Sequence, residues 1–165
     1  KYMGRFSFLK ESFKSIGTIG AINSTSRFAS KKMISHVDFK RSKYILELGA
    51  GDGSITKYIV EKLSPNSTLI VFELNEKFCA QLRAKFSNDN RIHIIQDSAE
   101  NIASHLDRLG IKQLDAVISA LPFVLLPKEV GTKILTETIQ FMTTKAPFVQ
   151  IHYSKLALNF YKNHF

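Results

Sequence analysis

Residues 44–56 read YILELGAGDGSIT, and the fold of the whole chain follows from how this stretch is parsed. Residues 44–48 form an apolar run of strand length, interrupted by one carboxylate, Glu47. Gly49, Gly51 and Gly53 follow at alternate positions, and a helical pattern begins near Ser54. Strand, glycine turn and helix N-terminus make the first half of a nucleotide-binding βαβ unit. Glycine lets the backbone turn sharply and approach a ligand with no Cβ in the way. The spacing is G-x-G-x-G, not the dinucleotide G-x-G-x-x-G, and no Gly-Lys-Ser/Thr follows to complete a phosphate loop. A plain tight turn spells the same letters, so the neighbouring charge matters. Glu47 and Asp52 would repel a triphosphate or pyrophosphate, and they suit a cationic ligand.

Working outward, strands and helices alternate. Residues 55–63 continue the helix, and the Ser64-Pro65-Asn66-Ser67 cluster ends it. Residues 68–74, TLIVFEL, are apolar enough for a strand buried on both faces. Glu73 closes that strand twenty residues after Gly53, where a Rossmann-type site places an acid for ribose hydroxyls. A solvated strand-end glutamate is the bland alternative. Helix 76–86, strand 91–95, a helix reaching about residue 109, strand 114–120, helix 128–142 and strand 146–153 complete the pattern. This alternation predicts an α/β fold: an open, mostly parallel sheet with helices on both faces and the site at the C-terminal ends of the strands.

The segment ELGAGDGSIT resembles motif I of class I S-adenosylmethionine-dependent methyltransferases, especially the rRNA adenine dimethyltransferases and bacterial phospholipid N-methyltransferases. The resemblance covers roughly residues 6–155. It implies a Rossmann-like methyltransferase domain with S-adenosyl-L-methionine as cofactor, whose amino group and sulfonium match the acidic turn. It places Glu47, Gly49, Ala50, Gly51, Gly53, Ser54, Ile55 and Ser119 around the cofactor, with Glu73 and Leu74 at the ribose. An acid after the third strand contacts the adenine amino group in these enzymes, which assigns Asp97, with Ser98 and Ala99 beside it. Asp97 also reads as an ordinary N-cap of the next helix. Thr25 and Ser26 match a segment that closes over the methionine end of the cofactor, and they read equally as N-caps of the following helix.

The most discriminating segment is Ser119-Ala120-Leu121-Pro122-Phe123. Amino-methyltransferases of RNA and DNA carry Asn/Asp-Pro-Pro-Tyr/Phe or Asn-Leu-Pro-Tyr here, the polar residue holding the target amine and the aromatic stacking on the base. Alanine stands in the place of that asparagine, and a methyl group accepts no hydrogen bond. The small-Leu-Pro form resembles the phospholipid N-methyltransferases, as does Phe148, Gln150 and Tyr153 in the fifth strand. On this resemblance Ser119, Phe123, Tyr153 and His152 are the catalytic candidates. Phe123 and Tyr153 would hold a methylated cation by cation–π contact, and Tyr153 or His152 would assist proton loss. His152 reads just as simply as a solvated strand-end histidine.

Composition limits the remaining choices. The 165 residues are 44% hydrophobic, enough for one domain with a proper core. The single cysteine, Cys79, excludes a disulfide scaffold and a cysteine metal cluster, and no metal site is expected. No apolar run approaches the roughly 18–20 residues needed to span a bilayer, and no secretory signal is recognised. A monomeric cytoplasmic protein, associated peripherally with the inner face of the cell membrane, is therefore expected. The net charge of +9 is uneven: residues 1–43 hold ten basic residues against two acids, and residues 44–165 thirteen against twelve. This divides the chain into a basic N-terminal helical arm, 1–43, and a nearly neutral methyltransferase domain, 44–165. Within the arm, Tyr2, Phe6, Leu9, Phe13 and Ile16 form an apolar stripe with Lys1, Arg5, Lys10 and Lys14 largely off it. Such a helix suits an anionic phospholipid surface, or it packs on the domain. Residues 156–165 read as an apolar helix, and the terminal β-hairpin usual in this class is not found, which suggests residues missing at both ends.

These readings converge on an N-methyltransferase acting on the amine of phosphatidylethanolamine, and on its methylated products, at a membrane surface. An rRNA adenine N6-methyltransferase is the alternative, using the basic arm on phosphate. A non-catalytic membrane-binding module with a degenerate nucleotide pocket is a third reading, and the intact acidic set weighs against it.

Overall fold

The computed structural model describes residues 26–151. Five parallel strands form one sheet in the order β3-β2-β1-β4-β5: β1 Tyr44–Leu48, β2 Thr68–Glu73, β3 Ile92–Gln96, β4 Ala116–Ser119 and β5 Phe148–Gln150. Helices α1 Arg27–Ile34, α2 Thr56–Lys62, α3 Glu76–Lys85, α4 Ile102–Arg108 and α5 Lys128–Phe141 connect and cover them. β2 lies on one side of β1 and β4 on the other, so the chain order switches at β1, where open α/β sheets bind ligands. The glycine turn leaves β1 at that point.

Strand periodicity sorts the core into two layers. Leu46, Leu48, Ile70, Phe72 and Val117 point to the face covered by α4 and α5, meeting Leu106, Ile134 and Leu135. Ile45, Leu69, Val71 and Ile118 point to the other face, against Ile59, Leu82, Met33 and Ile34. Met33 and Ile34 belong to α1, and Val37 and Phe39 follow them into the same layer. The described part of the basic arm thus packs on the sheet. Side-chain bonds far from the site tie it down: the Ser67 hydroxyl donates to Ser42 O at 2.6 Å, and Asp115 accepts from the backbone N–H groups of Lys43 and Tyr44.

Among the described residues the expected elements all appear, with shorter strands at two places; the helices expected over residues 1–16 and 156–165 lie outside the described residues. β4 begins at Ala116 because Asp115 turns its carboxylate to residues 43–44, leaving Leu114 in an isolated bridge to Met142. β5 begins at Phe148, since Pro147 has no N–H to offer the ladder. A 3₁₀ turn at Phe123–Leu125, absent from the sequence reading, follows the Leu-Pro pair.

Candidate functional site

At the end of β1 the backbone enters the left-handed region at Gly49 (φ 76°), Gly51 (54°) and Gly53 (78°), which L side chains rarely adopt. Crowding adds a second requirement at two of them. A Cβ on Gly49 would lie 2.9 Å from Leu121 Cδ2, and one on Gly53 2.8 Å from Leu82 Cδ2. Gly51 N donates to Glu73 Oε2 at 2.8 Å, so the end of β2 holds the turn of β1 directly. Glu73 Oε1 accepts from Asn75 N at 2.7 Å. Each carboxylate oxygen keeps one further lone pair for a hydroxyl donor. Burial raises the Glu73 carboxyl above its ordinary range, opposed by the N–H groups of Asn75, Gly51 and Leu74.

Glu47 lies under the same turn, 1% exposed. Among the described residues, neither of its oxygens has a hydrogen-bond partner, and neither does the Thr56 hydroxyl. Burial pushes its carboxyl up to about 8; the nearby Thr56 hydroxyl opposes this and the Glu73 charge adds to it. Thr56 thus acts on Glu47 through proximity, while the approach falls short of a formed hydrogen bond. An orphaned acid beside a second acid is costly without a cation.

Asp97, directly after β3, sits in a dense network. It accepts from Ser98 N at 2.7 Å and from Asn101 Nδ2, 3.1 Å from each oxygen. His105 Nε2 lies 2.7 Å from Oδ2. Arg108 Nη2 is 2.9 Å from His105 Nδ1 and 3.2 Å from Nε2. A guanidinium only donates, so Nδ1 accepts and Nε2 carries the proton given to Asp97. The His105 ring is held edge-on to Phe72, centroids 5.4 Å apart. Burial alone would raise the Asp97 carboxyl, but His105, Ser98 N and Asn101 together hold it below its ordinary range. Gly49, Glu73, Leu74, Asp97, Ser98 and Ala99 border one recess of about 30 Å³, with Leu121 and Leu126 opposite. Wider hollows, of about 600 Å³ outside β3 and about 830 Å³ along β5, include none of the three acids.

The remaining candidates divide. The Ser54 hydroxyl donates to Asp52 at 2.6 Å, and Ala50 and Ile55 point into the core, which leaves only their backbone at the site. Ser98 caps the 3₁₀ turn Ala99–Asn101. Ser26 caps α1, accepting from Ala29 N at 3.2 Å, the capping reading of that residue. Two catalytic assignments need correction. Ser119 is fully buried and its hydroxyl accepts from Leu121 N, so it shapes the turn instead of facing an acceptor. Phe123 is 2% exposed and packs in the α5-side core, because the 3₁₀ turn rotates its ring inward and leaves Val124 and Leu125 outside, 50% and 58% exposed. Thr25, His152, Tyr153 and the amphipathic stripe of residues 1–16 lie outside the described residues. Gln150, not among the candidate site residues, reaches the acceptor turn: its Nε2 donates to Leu121 O at 2.9 Å and to Ile151 O at 2.8 Å. Its place in the Phe148–Tyr153 pattern was the available signal.

S-adenosylmethionine fits this donor set. Two buried acids beside the turn suit its positive charge, and the spare lone pairs of Glu73 could accept from its hydroxyls. A phosphate would meet carboxylates. Residues 24–154 match the family model of the ribosomal RNA adenine dimethylases. The ornithine lipid N-methyltransferase of Singulisphaera acidiphila is 30% identical over 146 residues, covering 88% of this chain and 76% of that one. The ribosomal RNA small subunit methyltransferase A of Mycoplasma capricolum is 26% identical, over 72% of this chain and 42% of its own. Among solved structures, a putative rRNA methylase from Clostridium thermocellum superposes with a TM-score of 0.64 at 18% identity, over 86% of this chain and 81% of that one. With the glycine turn, the acids at its back and a family match across most of its length, the chain belongs to the ribosomal RNA adenine dimethylase family of class I S-adenosylmethionine-dependent methyltransferases.

Proposed function

We propose that this methyltransferase transfers methyl groups to the amine of a membrane aminolipid, phosphatidylethanolamine or an ornithine-type lipid, at a membrane surface. The observation that carries this reading is the acceptor turn. A base-reading turn needs a polar side chain to hold the flat amino group and an exposed ring to stack on the base. Here Ala120 supplies no acceptor, Ser119 is consumed by the turn, and the Phe123 ring is buried. The exposed side chains beside it are aliphatic, Val124 and Leu125, which suit acyl chains better than a nucleotide. The lipid-acting relative from Singulisphaera acidiphila supports the same class of acceptor.

In this reading Glu73 holds the cofactor ribose, Asp97 the adenine amino group, and Glu47 with Glu73 supplies the negative field at the cationic end. The cofactor supplies an electrophilic methyl group. The chain's own residues bind, orient and exclude water, and they need a neutral amine, since an alkylammonium of pKa about 10 has no lone pair to offer. The basic arm would hold the protein on anionic lipid.

The experiment is transfer of labelled methyl to vesicles containing phosphatidylethanolamine, to vesicles containing ornithine lipid, and to unmodified ribosomal RNA. Label in either lipid is the expected result. Label in RNA adenine alone would overturn the reading.

His105 provides a separate check on the Asp97 assignment. His105→Ala removes the shortest side-chain bond to Asp97, and one bond to a charged group contributes about 1.5–3 kcal/mol. Cofactor affinity measured by calorimetry should fall about tenfold, with partial recovery in His105→Asn. An unchanged affinity would place the adenine away from Asp97.

A further inference from the structure

We infer that the Gln150 side-chain oxygen is the group that holds the acceptor amine, in place of the side chain missing at Ala120; this rests on the lipid-amine reading above. The amide cannot be turned the other way round. Its nitrogen lies against two carbonyls, Leu121 O at 2.9 Å and Ile151 O at 2.8 Å, and both can only accept. Oε1 therefore points away from them. It is buried and has no hydrogen-bond partner among the described residues. Because Leu121 O is bonded to the same amide group, Oε1 lies within about 5 Å of the acceptor turn. A buried carbonyl oxygen without a donor costs stability unless a ligand supplies one. At this end of β5, beside the turn where an amino-methyltransferase holds its target, the matching donor is an amine N–H.

The consequence depends on how many methyl groups the nitrogen already carries. In each transfer the nitrogen lone pair forms the new N–C bond, the carbon–sulfur bond breaks, its electron pair stays on sulfur, and surplus protons leave to water. As positive charge develops on nitrogen, an N–H donated to Oε1 strengthens, so the contact favours the transition state over the bound amine. A primary amine offers two such N–H groups and a monomethyl amine one. A neutral dimethyl amine offers none. Gln150 thus promotes the first and second methylations and contributes nothing to a third.

The test compares rates within one protein. Wild type, Gln150→Leu and Gln150→Asn are each offered vesicles of a phosphatidylethanolamine, its N-methyl form and its N,N-dimethyl form. The expected result for Gln150→Leu is a loss of about tenfold or more on the first two substrates. Its rate on the dimethyl lipid stays near that of wild type, and Gln150→Asn recovers part of the loss. A turn displaced by loss of the Nε2 bonds slows all three substrates alike, so the ratio of rates separates acceptance from structure even in a destabilised variant. Parallel losses, or no loss, would overturn the inference. A wild-type protein that methylates none of the three, and no ornithine lipid offered in parallel vesicles, would remove the lipid reading itself.

Discussion

Glu73→Ala is expected to weaken S-adenosylmethionine binding by about 100-fold or more, measured by calorimetry. Two kinds of contact vanish together. The carboxylate holds Gly51 N and Asn75 N at 2.8 and 2.7 Å, and in the proposed site its remaining lone pairs accept from the ribose hydroxyls. Hydrogen bonds to an ionised group contribute about 1.5–3 kcal/mol each, and two hydroxyls reach the 100-fold mark at about 1.4 kcal/mol per factor of ten. Release of Gly51 adds to this, because a glycine turn that loses its anchor gives up the preorganised backbone that approaches the ligand. Glu73→Gln should fare little better, since its amide would set an NH₂ against one of the two backbone N–H groups it must accept from. Binding within threefold of wild type in Glu73→Ala would show that the ribose is held elsewhere. The same variant separates a working enzyme from a protein that merely keeps the fold, because methyl transfer should fall with cofactor affinity.

The glycine turn and the acids beside it were legible in the sequence because their chemistry is local. Three glycines at alternate positions, an acid at the end of the next strand and an acid after the third fix backbone shape and charge within about fifty residues. Parallel pairing then brings Glu73 to Gly51, since Leu48 is opposite Phe72 in the β1–β2 register. The acceptor half was less legible, for two physical reasons. A 3₁₀ turn of three residues leaves no periodicity to detect, yet it decides that Phe123 faces inward and Val124 and Leu125 outward. Gln150 is twenty-nine residues from Leu121, and only the β4–β5 pairing brings them together, so no spacing rule announces the contact. The Asp97–Asn101–His105–Arg108 network was read only at Asp97: which side chains meet that acid depends on the 3₁₀ start of α4.

Glu47→Gln should change both stability and cofactor binding, in opposite directions and with a pH signature. In the folded protein burial raises the Glu47 carboxyl from its ordinary value of 4.5 to about 8, with Thr56 on α2 opposing and Glu73 on β2 reinforcing. Between these two pH values the folded state binds a proton that the unfolded chain has released. Stability from this group is therefore fully present below pH 4.5 and is lost as pH rises to about 8, at about 1.4 kcal/mol per pH unit within the window. Above pH 8 an unpaired carboxylate sits in the core. A glutamine of the same shape does not titrate, so the variant should melt higher than wild type at pH 9 and lose that advantage near pH 5. Cofactor binding runs the other way. A ligand with an ammonium and a sulfonium favours the ionised carboxylate, so wild type should release up to one proton from Glu47 on binding between pH 5 and 8 and bind more tightly as pH rises. In Glu47→Gln this contribution disappears and affinity falls, because the negative charge is gone. Calorimetry in two buffers of different ionisation heat counts the protons. Equal proton release in wild type and variant would show that Glu47 keeps its protonation state on binding, and that the cofactor does not draw on its charge.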